Sequence, residues 1–103
     1  MSNKEIAKIL FEMAALLEMQ GVAWKPRAYE KAALGVEALD EDAGEIYRRG
    51  GAKALEQIPG VGRGIAEHLK ELVTTGTIKA YERLRKKVPV NVTELLAVEG
   101  VGP

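Results

Sequence analysis

The spacing of apolar residues along the chain predicts a series of short amphipathic helices. Between Ile6 and Leu17 the apolar positions recur every three or four residues, which places them on one face of a helix. Ser2 and Glu5 predict a capping box at the start of this helix, and Gly21 predicts its end. No segment of useful length alternates with period two, so the chain is predicted to be all-α.

The later helix boundaries follow from residues that favour helix starts and ends. Pro26 suits the first turn of a second helix, and Asp40 or Asp42 is predicted to cap a third. Asn91 is predicted to cap a seventh helix in the same way. The remaining boundaries are predicted at Gly50 and Gly51 for helix three, 52–57 for helix four, Gly76 for the end of helix five, Pro89 for the end of helix six and 93–98 for helix seven.

One short pattern occurs twice, with the second copy 40 residues after the first. Only the first copy is followed by a full apolar helix, because the second reaches the end of the chain at Pro103. We therefore expect one helical domain over 1–88, with a hairpin motif at 52–74, followed at 89–103 by the start of a second, truncated motif. A chain of this kind is expected to be a piece of a longer protein. The matched residues are Leu55, Ile58, Gly60, Val61 and Gly62 with Leu95, Val98, Gly100, Val101 and Gly102.

Composition narrows the class of protein. The 103 residues suffice for one domain, and 47% hydrophobic with 29% charged residues is a globular balance. The absence of cysteine excludes a disulfide framework and fits a cytoplasmic location. No apolar run reaches the ~18 residues of a membrane-spanning helix, so no membrane association is expected.

The charges balance, with 15 basic and 15 acidic side chains. A zero net charge argues against a polycation that coats nucleic acid, so any nucleic-acid contact must be local and involve few phosphates. The densest basic stretch runs from Lys79 to Lys87, and its simplest interpretation is a solvated helix face.

Residues 55–69, LEQIPGVGRGIAEHL, form the most specific pattern in the chain. Glycines let the backbone turn sharply and approach a ligand closely, and the next helix would begin with free N–H groups that suit a phosphate. The segment resembles the helix-hairpin-helix DNA-binding motif over its whole length. A valine at either glycine of the turn is expected to abolish DNA binding. The predicted DNA contacts are Gly60, Val61, Gly62, Arg63 and Gly64, with Val61 also packing inward to lock the hairpin.

Two simpler interpretations of the same segment remain open. One is a glycine turn that merely connects two core helices, and the other is a helical hairpin that contacts protein. If the hairpin does bind DNA, it contacts the backbone and is indifferent to base sequence. The resemblance further implies a monovalent cation, Na⁺ or K⁺, held by the main-chain carbonyls of Glu56, Ile58 and Val61, and no other cofactor.

A wider resemblance covers nearly the whole chain. The sequence RAYEKAA at 27–33, IPGVG at 58–62, the pair Thr75 and Gly76, and the second Gly-Val-Gly together resemble the N-terminal region of X-family DNA polymerases. These are gap-filling repair enzymes, so the resemblance implies a compact helical module that binds gapped or nicked DNA as a monomer. The remainder of the polymerase would carry nucleotidyl transfer, and this chain alone is not expected to be an enzyme.

The same resemblance assigns roles in a loop and the following helix. Lys25 falls where the family contacts the 5′-phosphate of a gap, and Trp24 falls where an aromatic ring stacks on a template base. Arg27 and Lys31, four residues apart, would line one face of the second helix. The alternatives are a Trp24 that packs onto helix one or two, a solvated Lys25, and an ordinary surface pair of basic residues.

The chain departs from the family at the position of its lyase chemistry. Some members cleave 5′-deoxyribose phosphate through a lysine Schiff base, which would fall at His68, and a supporting lysine would fall at Gly64. Because an imidazole cannot form that imine, no catalytic residue is predicted. Asp40 and Asp42 are explained by helix capping rather than by metal binding. Three hypotheses follow: a DNA-binding module, a lyase that uses another amine, and a protein-interaction domain.

Overall fold

The computed structural model describes residues 1–87, which form five helices and no strand, in agreement with the all-α prediction. The predicted seventh helix and the second hairpin motif at 89–103, with Gly100, Val101 and Gly102, lie outside the described residues. The helices are α1 at Asn3–Met19, α2 at Lys25–Glu37, α3 at Ala43–Leu55, α4 at Arg63–Thr75 and α5 at Lys79–Lys87.

Helix α1 begins and ends where its sequence predicts. The Glu5 N–H donates to the Ser2 hydroxyl oxygen at 3.1 Å, and the Ser2 N–H donates to the Glu5 carboxylate at 2.9 Å. This capping box satisfies two donors that have no partner inside the helix. At the other end Gly21 has a φ of 75°, the left-handed conformation that favours glycine after a helix.

Helix α3 is capped from another helix, which corrects the prediction for Asp40 and Asp42. Asp42 occupies the cap position, but its side chain makes no capping hydrogen bond. The Asn3 side chain instead accepts the Ala43 N–H at 2.8 Å and donates to the Glu41 carbonyl at 2.8 Å. Because Asn3 lies 40 residues away from Ala43, no local pattern around α3 could reveal this cap.

Helix α3 is kinked at Gly51, whose φ of 71° and ψ of −164° are not helical. The break confirms the boundary predicted at Gly50 and Gly51 between the third and fourth helices. The second piece ends at Leu55 rather than at Gln57 as the sequence suggested. Since the kink turns the chain, it sets the direction from which Leu55 leads into the hairpin.

The helices pack as two pairs around one core. Helix α1 lies against α2, α3 lies against α4, and α5 returns to α1, where the Tyr81 hydroxyl donates to the Glu12 carboxylate. None of the described helices combines the length and apolar character needed to cross a membrane. The largest fully buried side chains are Ile6, Leu10, Met13, Leu16, Val36, Leu55, Leu69, Leu72 and Ile78.

Candidate nucleic-acid interface

The hairpin between α3 and α4 is a tight turn built from Pro59 and Gly60. The Val61 N–H donates to the Ile58 carbonyl at 2.9 Å, and Gly60 has a φ of 89°. Proline at the second position and a glycine with positive φ at the third are the features of a type II β-turn. Val61 is buried, as the sequence predicted, so the hairpin is anchored in the core by its own tip.

The hairpin ends at an amino terminus of α4 that no side chain among residues 1–87 caps. Gly62 occupies the cap position, and the first helical hydrogen bond runs from the Ala66 N–H to the Gly62 carbonyl at 2.9 Å. The N–H groups before Ala66 therefore have no partner within the helix. Gly62, Arg63 and Gly64 are exposed, and the first turn holds no acidic residue that would repel an anion.

Space for a ligand differs between the two glycines of the hairpin. A Cβ added at Gly62 would meet no atom of the described chain within 4 Å apart from its own local backbone, and the same holds at Gly64. A Cβ added at Gly60 would lie 2.6 Å from the Lys31 carbonyl oxygen. The open approach to the α4 amino terminus is therefore at Gly62 and Gly64, whereas Gly60 serves close packing inside the protein.

The hairpin rests on helix α2 by contact between backbones. Lys31 lies under Gly60, and a Cβ added at Gly35 would lie 1.9 Å from the Pro59 carbonyl oxygen. Gly35 is a site-positioning residue that the sequence analysis did not single out. Its signal was available, because glycine inside a helix costs about 1 kcal/mol relative to alanine and calls for a packing reason.

This packing brings part of the predicted interface together. Lys31 is exposed and its backbone touches the hairpin turn, and Arg27 is exposed one helical turn earlier on α2. The two basic side chains predicted on α2 therefore share a face of the helix that leads to the hairpin.

A second group of predicted and unpredicted residues surrounds a surface pocket of about 230 Å³ between α1, α2, α4 and α5. Among the described residues, three cationic side chains line it, those of Lys25, Arg83 and Lys87, and no carboxylate does. Within residues 1–87 the basic partners in salt bridges are only Arg48 and Arg49, so none of these three cations forms a salt bridge with a described residue. The full lining is Met13, Leu17, Lys25, Tyr29, His68, Ala80, Arg83, Leu84 and Lys87.

The basic residues of α5, which were predicted to form a solvated face, make different contacts. Arg83 and Lys87, one turn apart, line the pocket, whereas Arg85 lies over the Tyr81 ring, 5.4 Å from its centre. The Lys79 N–H donates to the Glu71 carboxylate at 2.8 Å, which ties the start of α5 to α4. The four-residue spacing of Arg83 and Lys87 was visible in the sequence, but the pocket opposite them was not.

His68 forms part of the pocket wall on α4. Its ring centre lies 6.1 Å from that of Tyr29, at an angle of 34°. Burial lowers the pKa of His68 below its ordinary value of 6.5, and the nearby Lys25 ammonium lowers it further, while Glu71 and Glu67 oppose the shift. The lowered pKa favours the neutral imidazole at pH 7.

Trp24 projects from the protein, with 89% of its surface exposed. This overturns the alternative in which its ring packs onto helix one or two. The Lys25 N–H donates to the Ala23 carbonyl at 2.8 Å across Trp24, whose φ is 72° and ψ is −46°. These are the features of a γ-turn with positive φ, a rare and strained conformation for a residue other than glycine.

The cation predicted at the hairpin would be bound by main-chain carbonyl oxygens. The Ile58 carbonyl accepts the Val61 N–H, which uses one of its two lone pairs and leaves the other available.

In the acidic run Asp40-Glu41-Asp42, the Glu41 carboxylate pairs with the Arg49 guanidinium. Among the described residues no group of three acidic or histidine side chains is placed to hold a metal ion.

Comparison with known proteins agrees with this architecture. The family model described as a helix-hairpin-helix domain matches residues 1–78. Among curated proteins, the chain is 29% identical over 103 residues to the DNA polymerase/3'-5' exonuclease PolX of Bacillus subtilis (strain 168). The match covers 99% of this chain and 17% of that protein's length. The resemblance to X-family polymerases noted in the sequence is thereby confirmed.

Proposed function

Because this chain belongs to the helix-hairpin-helix domain family, we propose that it is a non-sequence-specific DNA-binding module of an X-family repair polymerase. It binds gapped or nicked DNA as a monomer, through the DNA backbone and the 5′-phosphate. The observation that carries the proposal is the open, uncapped amino terminus of α4, which a type II turn at Pro59 and Gly60 presents to solvent.

The hairpin holds one backbone phosphate. The unpaired N–H groups of the first turn of α4 point out of the helix along its axis, and the positive end of the helix dipole lies behind them. Arg63 supplies a charge-assisted contact beside them. The open space at Gly62 and Gly64 lets a phosphate oxygen reach the backbone, and no base edge is needed for this contact.

The pocket beside α2 holds the terminal 5′-phosphate. Lys25 was assigned to that phosphate by family resemblance, and the pocket adds Arg83 and Lys87 on the opposite side. At about 230 Å³ the pocket is smaller than the roughly 300–1,000 Å³ of pockets for drug-sized ligands, which suits a phosphate group. Trp24, exposed next to Lys25 in the chain, offers its ring to an unpaired base.

In the proposed function, nucleotidyl transfer is carried out by a part of the polymerase other than this chain. The similarity to the Bacillus polymerase covers 17% of that protein, and nucleotidyl transfer would belong to the remainder. Lyase chemistry is not proposed, because His68 stands where the family's imine-forming lysine would fall. Borohydride treatment with a pre-incised abasic duplex is expected to give no covalent adduct, and an adduct would establish the lyase alternative.

A monovalent cation at the hairpin is part of the proposal. Carbonyl oxygens of Glu56, Ile58 and Val61 are neutral oxygen ligands of the kind that Na⁺ or K⁺ accepts. Their role would be to link the hairpin to a DNA phosphate. Replacing K⁺ by tetramethylammonium at constant ionic strength is expected to weaken DNA binding, and equal affinity in both salts would refute the site.

The test of the proposed function is fluorescence anisotropy with three labelled duplexes at two salt concentrations. These are a gapped duplex with a 5′-phosphate, the same duplex with a 5′-hydroxyl, and an intact duplex. Tightest and salt-sensitive binding to the phosphorylated gap is expected. Absence of binding at low salt would favour the protein-interaction alternative.

Variants separate the two contacts in the same assay. Lys25→Ala is expected to remove the advantage of the 5′-phosphate and to leave binding to the 5′-hydroxyl duplex unchanged. Lys4→Ala, an exposed lysine of α1 outside both the hairpin and the pocket, is the matched control. Equal loss on both gapped duplexes would refute the phosphate role of Lys25.

A further inference from the structure

His68 lies in a pocket whose described lining includes three cationic side chains and no carboxylate. Helix α2 presents Lys25 and Tyr29 to the pocket, and helix α5 presents Arg83 and Lys87. The facing side of α1 contributes only apolar side chains. The His68 imidazole thus shares with three cationic side chains a pocket that is suited to an anion.

The carboxylates on α4 do not neutralise the positive charge of the pocket. Glu71 and Glu67 lie close enough to His68 to favour its charged form, but burial outweighs them. The Glu71 carboxylate already accepts the Lys79 N–H at 2.8 Å, and the Glu67 side chain is exposed to solvent. A negative charge brought into the pocket would therefore favour the protonated form of His68.

We propose that His68 is a proton-coupled phosphate ligand, which is neutral in the empty pocket and takes up a proton when a terminal phosphate monoester binds. The inference rests on the proposed function of the pocket and goes beyond it. The added positive charge makes the pocket select a doubly charged terminal phosphate over the singly charged phosphates of a continuous strand.

The physical reason is the change of charge inside the pocket on binding. In the empty pocket an imidazolium would lose hydration and face the ammonium of Lys25, so the proton stays in solution. A phosphate monoester brings nearly two negative charges at pH 7 and reverses the sign of the local potential. Imidazolium then offers two N–H donors, one more than the neutral ring.

The test measures the Kd of the gapped duplex with a 5′-hydroxyl divided by the Kd of the same duplex with a 5′-phosphate, at pH values from 6.5 to 8. This ratio is the advantage that the 5′-phosphate gives. For the wild-type chain we expect this ratio to rise about threefold to tenfold as the pH falls, the limit for one proton being tenfold per pH unit. His68→Gln, which keeps a polar group but cannot titrate, should lose that rise. His68→Lys, which is charged throughout, should keep a large advantage at every pH.

A second measurement uses the single histidine of the chain. Its ring resonances in a proton NMR titration need no assignment by mutation, and the wild-type protein suffices. We expect the pKa of His68 to rise on addition of a 5′-phosphorylated gapped duplex and to stay unchanged with the 5′-hydroxyl form. An unchanged pKa with the phosphorylated duplex would overturn the proposal.

The outcomes distinguish this inference from the function on which it rests. If the 5′-phosphate gives no advantage at any pH, the pocket does not bind phosphate and both statements are wrong. If the advantage exists but wild type and His68→Gln share one pH profile, only the proton-coupled role of His68 is overturned. Identical chemical shifts at His68 with both duplexes would lead to that second conclusion as well.

Discussion

Trp24 combines an exposed ring with a strained backbone. A tryptophan that is 89% exposed gains little from burial, and a φ of 72° costs on the order of 1–3 kcal/mol for a residue with a Cβ. Neither property helps the fold. Together they suggest that the γ-turn holds the ring in place for a ligand, which in the proposed function is an unpaired base.

We therefore predict that Trp24→Gly separates stability from binding. Glycine adopts a positive φ without steric cost, so the free energy of unfolding should rise by about 1 kcal/mol or stay equal. Affinity for the gapped duplex should fall by about 5-fold to 150-fold, the equivalent of roughly 1–3 kcal/mol for one stacked base. Chemical denaturation and anisotropy measure the two effects.

The matched control is Trp24→Phe, which keeps an aromatic ring on the same turn. Its affinity should stay close to that of the wild-type chain, because every base offers a face on which a ring can stack. Wild-type affinity of Trp24→Gly would show that the ring does not contact DNA.

The two glycines of the hairpin should respond differently to alanine. Gly62 has an ordinary extended backbone and free space, so Gly62→Ala should fold normally but lose at least tenfold in DNA affinity. Gly60→Ala should instead lower the free energy of unfolding by about 3 kcal/mol, since its Cβ would meet the Lys31 backbone at a positive φ. Thermal unfolding and anisotropy together decide, and a stable Gly62→Ala that binds normally would refute phosphate approach there.

At the scale of helices, the first N–H groups of two helices donate to side chains of other helices. The first N–H of α3 is accepted by Asn3 of α1, and the first N–H of α5 is accepted by Glu71 of α4. These bonds connect elements as well as satisfying orphan donors. The start of α4 has no such bond from any side chain that the structure describes, so it is the one of these three that can serve a ligand.

The cap of α3 gives a direct comparison of two residues. Asn3→Ala should lower the free energy of unfolding by about 1 kcal/mol, the usual cost of losing a helix cap. Asp42→Ala should cost less than half as much, because the Asp42 side chain makes no capping bond. Urea denaturation of both variants checks this, and the reverse order would show that the local aspartate caps the helix.

Contact between α2 and the hairpin depends on Gly35. Gly35→Ala places a methyl group 1.9 Å from the Pro59 carbonyl oxygen, and we expect a loss of about 3 kcal/mol in unfolding free energy together with weaker DNA binding. Gly44→Ala on α3 is the control, because its Cβ would meet only the Asp42 carboxylate at 3.4 Å. A fully stable Gly35→Ala would mean that the hairpin does not rest on α2.

At the scale of the whole molecule, position rather than net charge creates the basic surface. The chain has 15 basic and 15 acidic side chains, yet the described residues that line the pocket include three cations and no carboxylate. Binding through so few phosphates should be weak, on the order of micromolar at physiological salt.

Burial of His68 between three helices makes stability depend on pH. Because its folded pKa lies below the unfolded value of 6.5, the unfolded chain takes up the proton first as the pH falls. The contribution of His68 is complete above pH 6.5 and is lost as the pH drops toward the folded pKa. Urea titrations between pH 7.5 and 5.5 should show this loss in the wild-type chain and a flatter profile in His68→Gln; parallel profiles would contradict it.

Local interactions explain what the sequence alone determined. The apolar spacing of α1, its capping box, the left-handed Gly21 and the turn at Pro59 and Gly60 all involve residues within a few positions of one another. Their conformations follow from the chain's own geometry, so they were predicted correctly, and the resemblance to the helix-hairpin-helix motif rested on the same local pattern.

Tertiary structure decided the features that join distant residues. Asn3 rather than Asp42 caps α3, and the hairpin packs against Gly35 of α2. Arg83 and Lys25 line one pocket although they lie on different helices. Such contacts depend on how the helices are placed, which local residue preferences do not specify.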